Sequence, residues 1–340
     1  MTDIALYLLC ITLSALGGLM ILRFARNGRM IDVPGERSSH RDPMPTGGGV
    51  GILSAFLFSA LYLRVPPGVW FPSAILALVS LYGDWFKLSP HFRLSVQFLA
   101  VAVFVFSFVP SAGSANGAPF IVFFFLFASV YIVGTANFFN FMDGIDGMLA
   151  ISSTVSFGFA ALFVYTEGGD PLYFRFALCL AAACLGFLPL NFPRAKVFMG
   201  DVGSILLGFL YGGLVIILSG SPLDFAVLSG CAGLIYADVL TTLFIRWRRG
   251  ENLFLAHRRH LYQVLVNEKG MTHWTLSLIY GTVQAVLGGG LFILKPLGFW
   301  PVFLLLAAFF AAFVFYGARV RRQAATEQGE TALKEKRIVP

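Results

Sequence analysis

Eleven consecutive residues of this chain carry two amides, two carboxylates and two glycines: Asn137-Phe-Phe-Asn140-Phe-Met-Asp143-Gly-Ile-Asp146-Gly147. They directly follow an uncharged apolar run long enough to be a membrane span. A carboxylate near hydrocarbon costs several kcal/mol unless something pairs with it, so acids at such a place imply a role. Asp143 and Asp146 are three residues apart, and carboxylates that close repel unless a cation or hydrogen-bond donors lie between them. Asp146 as a helix N-cap is the plainer alternative, but it explains neither Asn137 nor Asn140. A second cluster follows another apolar run: Asn191-Phe-Pro-Arg194-Ala-Lys196-Val-Phe-Met-Gly200-Asp201-Val-Gly203-Ser204. Asp201, set between small residues just ahead of a span, is the best candidate ligand for a hard cation such as Mg2+. Arg194 and Lys196 either bind substrate phosphates or only mark the inner face of the membrane.

Three further polar segments stand at the ends of apolar runs. Gly83-Asp84-Trp-Phe-Lys87 places an acid and a base on one helical face, either as chemistry or as a helix-end ion pair. Thr46-Gly-Gly48-Gly opens a span, and glycines there let backbone N–H groups approach an anion; a solvated loop with a glycine cap is the alternative. The longest polar loop, 246–275, contains His257-Arg258-Arg259-His260. If helical, it sets both imidazoles on one face, where they and the arginines could cradle a diphosphate. Its opening, Arg246-Trp-Arg248-Arg249, reads as a basic patch attracted to anionic lipid. Asp238 lies inside an apolar run, and such an acid is either functional or paired with a neighbouring helix.

The elements that position these residues are membrane helices. The 340-residue chain is 58% hydrophobic and 12% charged, against about 25% charged in soluble domains. Eleven apolar runs are candidates: roughly 4–22, 48–63, 69–83, 94–109, 118–136, 148–166, 172–190, 204–219, 222–245, 276–294 and 299–317. The expected fold is an all-α integral membrane protein of ten or eleven transmembrane helices. Its polytopic domain spans residues 1–317, with catalytic loops at 23–47, 84–93, 137–147, 191–203 and 246–275. A charged tail follows at 318–340. With the N-terminus outside and the C-terminus cytoplasmic, every Lys and Arg except Arg64, Arg175 and Lys295 falls on the inner side. All five polar segments then share the cytoplasmic face. The net charge of +7 is thus a topology signal and not a nucleic-acid-binding surface. The four cysteines lie within apolar runs and lack zinc-site spacing, so they read as small core residues.

The residues so assembled resemble the polyprenyl-phosphate N-acetylhexosamine-1-phosphate transferases, the MraY/WecA superfamily of glycosyltransferase family 4. Asn137 to Gly147 matches the pattern Asn-x-x-Asn-x-x-Asp-Gly-x-Asp-Gly, and Val197 to Ser204 matches Val-Phe-Met-Gly-Asp-x-Gly-Ser. The His-Arg-x-His-x-Tyr-Gln form of the last loop is closer to the bacterial branch that initiates O-antigen. One departure stands out: Gly83-Asp84 replaces an Asp-Asp pair. The resemblance implies transfer of a sugar 1-phosphate from a UDP-N-acetylhexosamine to undecaprenyl phosphate, with release of UMP, at the cytoplasmic face of the bacterial inner membrane. It assigns catalysis to Asp84, Lys87, Asp143, Asp146, His257 and His260. It assigns substrate binding to Asn137, Asn140, Thr46, Gly48, Arg194, Lys196, Arg258 and Arg259. It gives Mg2+, with Mn2+ as a substitute, to Asp201, with Asp146 as a second candidate ligand. A homodimer is compatible with these features. The competing expectations are a transporter or flippase, or a lipid-binding relative whose catalysis is altered by Gly83. A transporter should carry ionisable groups at mid-membrane, whereas here the acids gather on one face.

Overall fold

The computed structural model of the chain describes residues 1–25, 30–34, 42–86, 88–112, 117–253, 255 and 257–338; side chains at 25, 108–112, 117–118 and 328–338 are not described. Lys87, Arg37 to Arg41 and the side chains of the tail from 328 onward therefore lie outside the described residues.

Thirteen α-helices make up the described chain: α1 (Asp3–Ala25), α2 (Val50–Tyr62), α3 (Pro67–Phe86), α4 (Pro90–Ala112), α5 (Gly117–Met142), α6 (Met148–Thr166), α7 (Pro171–Asn191), α8 (Asp201–Leu218), α9 (Pro222–Gly230), α10 (Gly233–Arg248), α11 (Leu261–Asn267), α12 (His273–Leu294) and α13 (Phe299–Ile338). A two-residue hairpin, β1 (Ile31–Asp32) with β2 (Met44–Pro45), is the sole sheet among the described residues. This is an all-α integral membrane protein.

Nine helices among the described residues are long and apolar enough to cross a bilayer, and the α9–α10 pair makes a tenth. The upper figure of ten agrees with the expected ten or eleven, and two of the eleven candidate runs are not full straight spans. The run 222–245 is not one straight span, because α9 and α10 meet at 84°. The run 48–63 forms α2, only 13 residues long. At 1.5 Å per residue that is about 20 Å, short of a ~30 Å hydrocarbon core. Packing against α1 and α7 buries much of it, so it does not need to match the bilayer alone.

Local chemistry sets the helix ends. Asp170 caps α7 by accepting from the Leu172 N–H at 2.8 Å, and Ser221 caps α9 by accepting from Asp224 N–H at 3.1 Å. Proline occupies the first helical position of both, where its missing N–H costs nothing.

Helix α8 is the central post. Residues 202–215 are buried throughout, and the helix packs against α3 and α5. The contact with α5 is close because α8 presents glycine there: a methyl group on Gly208 would lie 2.7 Å from the Thr135 carbonyl oxygen. Small residues allow such approach where lipid supplies no hydrophobic drive between helices. The result brings the C-terminal ends of α3 and α5 beside the N-terminal end of α8.

Candidate active site

Three acidic side chains meet at that junction. Asp84 comes from the last turn of α3, Asp143 follows α5, and Asp201 begins α8. The Asp201 N–H donates to Asp84 Oδ1 at 3.4 Å. Gly200 lies between these acids with φ +74°, and a Cβ there would stand 2.8 Å from Asp84 Oδ2 and 2.9 Å from the Gly47 nitrogen. Glycine is thus required twice at position 200, for its backbone and for the space beside the carboxylate.

Neighbours hold Asp201 from two sides. Asn140 Nδ2 donates to Asp201 Oδ1 at 2.6 Å and to Ser204 Oγ at 2.9 Å. Arg93, from the first turn of α4, forms an ion pair with Asp201 Oδ2. One helical turn on, Gln97 Oε1 accepts from Asn137 Nδ2 at 2.6 Å. Asn137 and Asn140 therefore act as a layer that ties α4, α5 and α8 together at the acids.

Asp143 is pushed well above the usual carboxylate range, first by burial and then by the negative charge of Asp84; a hydrogen bond from the Gly200 backbone works the other way. The like-charge pair is thus Asp143 with Asp84, not Asp143 with Asp146. Asp146 turns toward α12, where its Oδ1 lies 3.2 Å from His273 Nδ1 and its carbonyl accepts from Ser277 at 2.7 Å. Nor does Asp146 cap α6. That position belongs to Gly147, with φ +76°, whose N–H donates to Asn191 Oδ1 at 2.7 Å.

A cavity of about 560 Å³ opens beside Asp143. Arg93, Gln97, Asn137 and Asn140 line one side; Leu253, Leu255, His257, His260, Tyr262 and Gln263 line the other. No helix runs through His257–His260, because α11 starts only at Leu261. The rings still meet, with centroids 4.8 Å apart. Burial, and then the positive surroundings of His260 and Arg246, lower the His257 pKa to about 4. It faces the cavity as a neutral imidazole at neutral pH, not as a cation. His260 is buried, its Nδ1 3.5 Å from Asp238 Oδ1.

Other expected binding residues take different places. The N–H groups of Gly48 and Gly49 donate to the carbonyls of Phe198 and Met199 at 2.9 and 2.8 Å, so they join two loops and are not open to an anion. Thr46 N–H donates to the Met30 carbonyl at 3.1 Å. Arg194 and Lys196 are exposed and do not line the cavity, as a topology signal would have it. Arg259 pairs with Glu251, and neither it nor Arg258 lines the cavity. Arg246 is not a lipid-facing cation: it is buried, and its guanidinium donates to Glu251 and to the carbonyls of Asn252, Leu253 and Leu255. Asp238 accepts from the Leu261 and Tyr262 backbone and from the Tyr280 hydroxyl. That decides between the two readings of this intramembrane acid in favour of pairing.

Arg93 and Gln97 are the residues that sequence reasoning passed over. By charge alone Arg93 marks the inner face at the end of the 84–93 loop, yet Arg93 and Gln97 lie four apart at the start of an apolar helix, on one face. A polar pair there points into a bundle rather than at lipid.

The chain matches the family described as glycosyl transferase family 4 over residues 67–219. It is 32% identical over 256 residues to the undecaprenyl-phosphate alpha-N-acetylglucosaminyl 1-phosphate transferase of Thermotoga maritima, covering 75% of this chain and 79% of that protein. The chain belongs to glycosyl transferase family 4. Further family relatives are the decaprenyl-phosphate N-acetylglucosaminephosphotransferase of Mycobacterium tuberculosis and the phospho-N-acetylmuramoyl-pentapeptide-transferase of Lacticaseibacillus paracasei. The first is 30% identical over 288 residues (72% of this chain, 71% of the relative), the second 28% over 305 (80% and 90%). The family match runs from the start of α3 through α8, and so includes Asp84, Arg93, Asn137 to Asp146 and Asp201.

Proposed function

We propose that this family member transfers an N-acetylhexosamine 1-phosphate from a UDP-sugar to undecaprenyl phosphate and releases UMP. The reaction would run at the cytoplasmic face of a bacterial inner membrane and start a lipid-linked, O-antigen-like polysaccharide. The observation that carries this reading is the meeting of Asp84, Asp143 and Asp201 with Arg93 at one end of a membrane bundle, where Asp143 and Arg93 line a cavity. The named relatives that act on polyprenyl phosphates support it.

An oxygen of the acceptor phosphate attacks the phosphorus that bears the sugar. The bond from that phosphorus to the bridging oxygen breaks, and the bridging oxygen leaves with UMP. Such transfers depend on positioning and on charge stabilisation more than on covalent help from the protein. The acceptor phosphate is already mostly ionised at neutral pH, so Asp84 needs only to orient it. Asp143, biased toward its protonated form, donates to a phosphate oxygen that a carboxylate would repel. Arg93 offers a planar fork to a phosphate from its place against Asp201. His257 supplies a neutral imidazole to the opposite wall.

The donor set suits Mg2+. Asp84 Oδ2 is buried and has no hydrogen-bond partner among the described residues, and Asp201 lies across Gly200 from it. No group of three or more His, Cys, Asp or Glu placed to share a metal occurs among the described residues. Mg2+ does not require one, since it commonly takes one or two carboxylates and fills its shell with phosphate oxygens and water. Bound there by Asp201 and Asp84, it would neutralise the diphosphate and stabilise departing UMP.

The polyprenyl chain has a suitable apolar groove of about 1040 Å³, walled by Phe120, Phe124, Phe127, Phe225, Leu306 and Phe310. Against a transporter, the intramembrane Asp238 carboxylate accepts hydrogen bonds from the start of α11 and from Tyr280. The test is UMP release from UDP-N-acetylhexosamines with undecaprenyl phosphate, with and without Mg2+. Release that needs both the acceptor and the metal supports the proposal; none with any UDP-sugar would refute it.

A further inference from the structure

A cleft of about 260 Å³ lies between α11, α12 and α13, away from both the acids and the apolar groove. Leu261 and Leu265 of α11, Ile279 and Val283 of α12, and Phe313 and Tyr316 of α13 line it. It shares no lining residue with the polar cavity or with the groove. Leu261 and Leu265 are buried and form its roof, whereas Ile279, Val283 and Tyr316 are exposed, so it opens sideways from the bundle.

The helices fix the depth of this opening. His273, the first residue of α12, lies beside Asp146, so α12 starts at the end of the bundle that carries the acids. Ile279 and Val283 follow six and ten residues later, about 9 and 15 Å along the helix axis. A side opening at that depth faces hydrocarbon. Left empty, an apolar void there would forfeit packing contacts along its walls, and an acyl chain restores them.

The watery edge of the cleft is basic. Tyr316 and Arg319 are three residues apart on α13 and share a face. Over residues 268–275 and 316–327 the bases Lys269, Arg319, Arg321 and Arg322 outnumber the acids Glu268 and Glu327. Lys269 pairs with Glu327 at 2.7 Å, which ties the turn after α11 to α13. Arg321 Nη1 has no hydrogen-bond partner among the described residues; it lies beside Gly317, where an added Cβ would stand 2.8 Å from it and 3.5 Å from Leu261 Cδ2 in the roof. Arg319 and Arg322 are exposed. A basic rim over an apolar slot between membrane helices matches the two halves of an anionic lipid. We propose that this cleft binds an anionic phospholipid, with one acyl chain between α12 and α13 beneath α11 and the phosphate at Arg319. The inference does not rest on the transferase reading above.

The experiment uses the full-length protein in detergent, titrated with phosphatidylglycerol or with phosphatidylcholine of the same acyl chains. Native mass spectrometry counts the retained lipid, and phosphatidylglycerol with a photoreactive acyl chain maps where it sits. The variants are Arg319→Gln, Ile279→Trp to fill the mouth of the cleft, and Arg248→Gln as an exposed charge at the end of α10. Wild type and Arg248→Gln should retain phosphatidylglycerol about fivefold better than phosphatidylcholine, roughly the weight of one arginine at an anionic lipid surface. Arg319→Gln should lose that preference, Ile279→Trp should lose retention of both lipids, and crosslinks should fall within 261–283 and 309–316. If Ile279→Trp does not purify, Arg319→Gln and the crosslink map decide. Equal retention of both lipids by wild type, an unchanged preference in Arg319→Gln, or crosslinks confined to other helices would overturn the proposal. Displacement of phosphatidylglycerol by equimolar undecaprenyl phosphate would overturn it too, because the cleft would then take a polyprenyl phosphate.

Discussion

Asn140 Nδ2 lies 2.6 Å from Asp201 Oδ1, joining two motifs that are 61 residues apart in the chain. The bond explains why an amide and not an acid stands at position 140. An amide nitrogen donates to a carboxylate, and a second carboxylate there would repel it.

Asn140→Asp should therefore reduce turnover by about 10²-fold, in the range seen when one charge-stabilising contact is lost from an active site. Part of the loss should return as Mg2+ is raised, because a cation screens the new pair. Initial rates over a Mg2+ titration check this. Wild-type rates at low Mg2+ would show that the contact has no bearing on Asp201.

Asp143→Asn should stabilise the protein at neutral and alkaline pH while lowering its activity. The folded-state pKa of Asp143 is raised, so the folded protein binds more protons than the unfolded chain. Stability tied to this group is then fully present below the ordinary carboxylate pKa and is lost as pH rises through the raised value. The asparagine variant has no such slope. Melting temperatures of both proteins from about pH 4, near the ordinary carboxylate pKa, up to about pH 9 should converge at the acid end and separate above it.

The opposite slope belongs to His257. Its folded pKa is lowered from 6.5 to about 4, so the unfolded chain binds the extra proton. Stability tied to it is whole above 6.5 and is lost as pH falls toward 4. His257→Gln should flatten that part of the melting curve. A variant with the wild-type slope would mean that the imidazole titrates normally.

Gly83 is buried but tolerates a small side chain: the nearest atom an added Cβ would meet is Leu88 Cδ1, in van der Waals contact at 3.4 Å. Asp84, one residue on, faces Gly200 and the Asp201 N–H instead. Gly83→Ala should keep activity within about threefold and stability within ~0.5 kcal/mol, whereas Asp84→Asn should cost 10²-fold or more, about 2.7 kcal/mol in the barrier. Comparing kcat/KM for the two variants tests whether the single remaining acid of this motif is enough.

Much of the architecture is legible in the sequence, because a membrane helix must satisfy its backbone internally and announces itself as an apolar run. The bend between α9 and α10 is not, since Gly230-Cys-Ala-Gly233 is as apolar as the spans around it. The two long motifs mark Asn140, Asp143 and Asp201, which the fold brings to one junction. What spacing does not convey is direction. Asp143 and Asp146 sit in a turn, so their three-residue interval does not put them on one face, and one meets Asp84 while the other meets His273. Basic residues mislead in a similar way. Arg93 and Arg246 both read as inner-face charges, yet the first pairs with Asp201 and the second is buried behind the cavity wall. Burial and pairing depend on which helix stands opposite, and only the packed bundle supplies that.

The central claim is that Asp201 and its neighbours bind a metal-neutralised diphosphate for transfer to a lipid phosphate. It is tested most directly by UMP release from UDP-N-acetylglucosamine by wild type and Asp201→Asn, each with undecaprenyl phosphate and a titration of Mg2+. Asparagine keeps the shape of the side chain and removes the charge. The account predicts Mg2+-dependent, acceptor-dependent release by the wild type and a loss of about 10³-fold or more in the variant, with an unchanged melting temperature. Near-wild-type release by Asp201→Asn at saturating Mg2+ would contradict it.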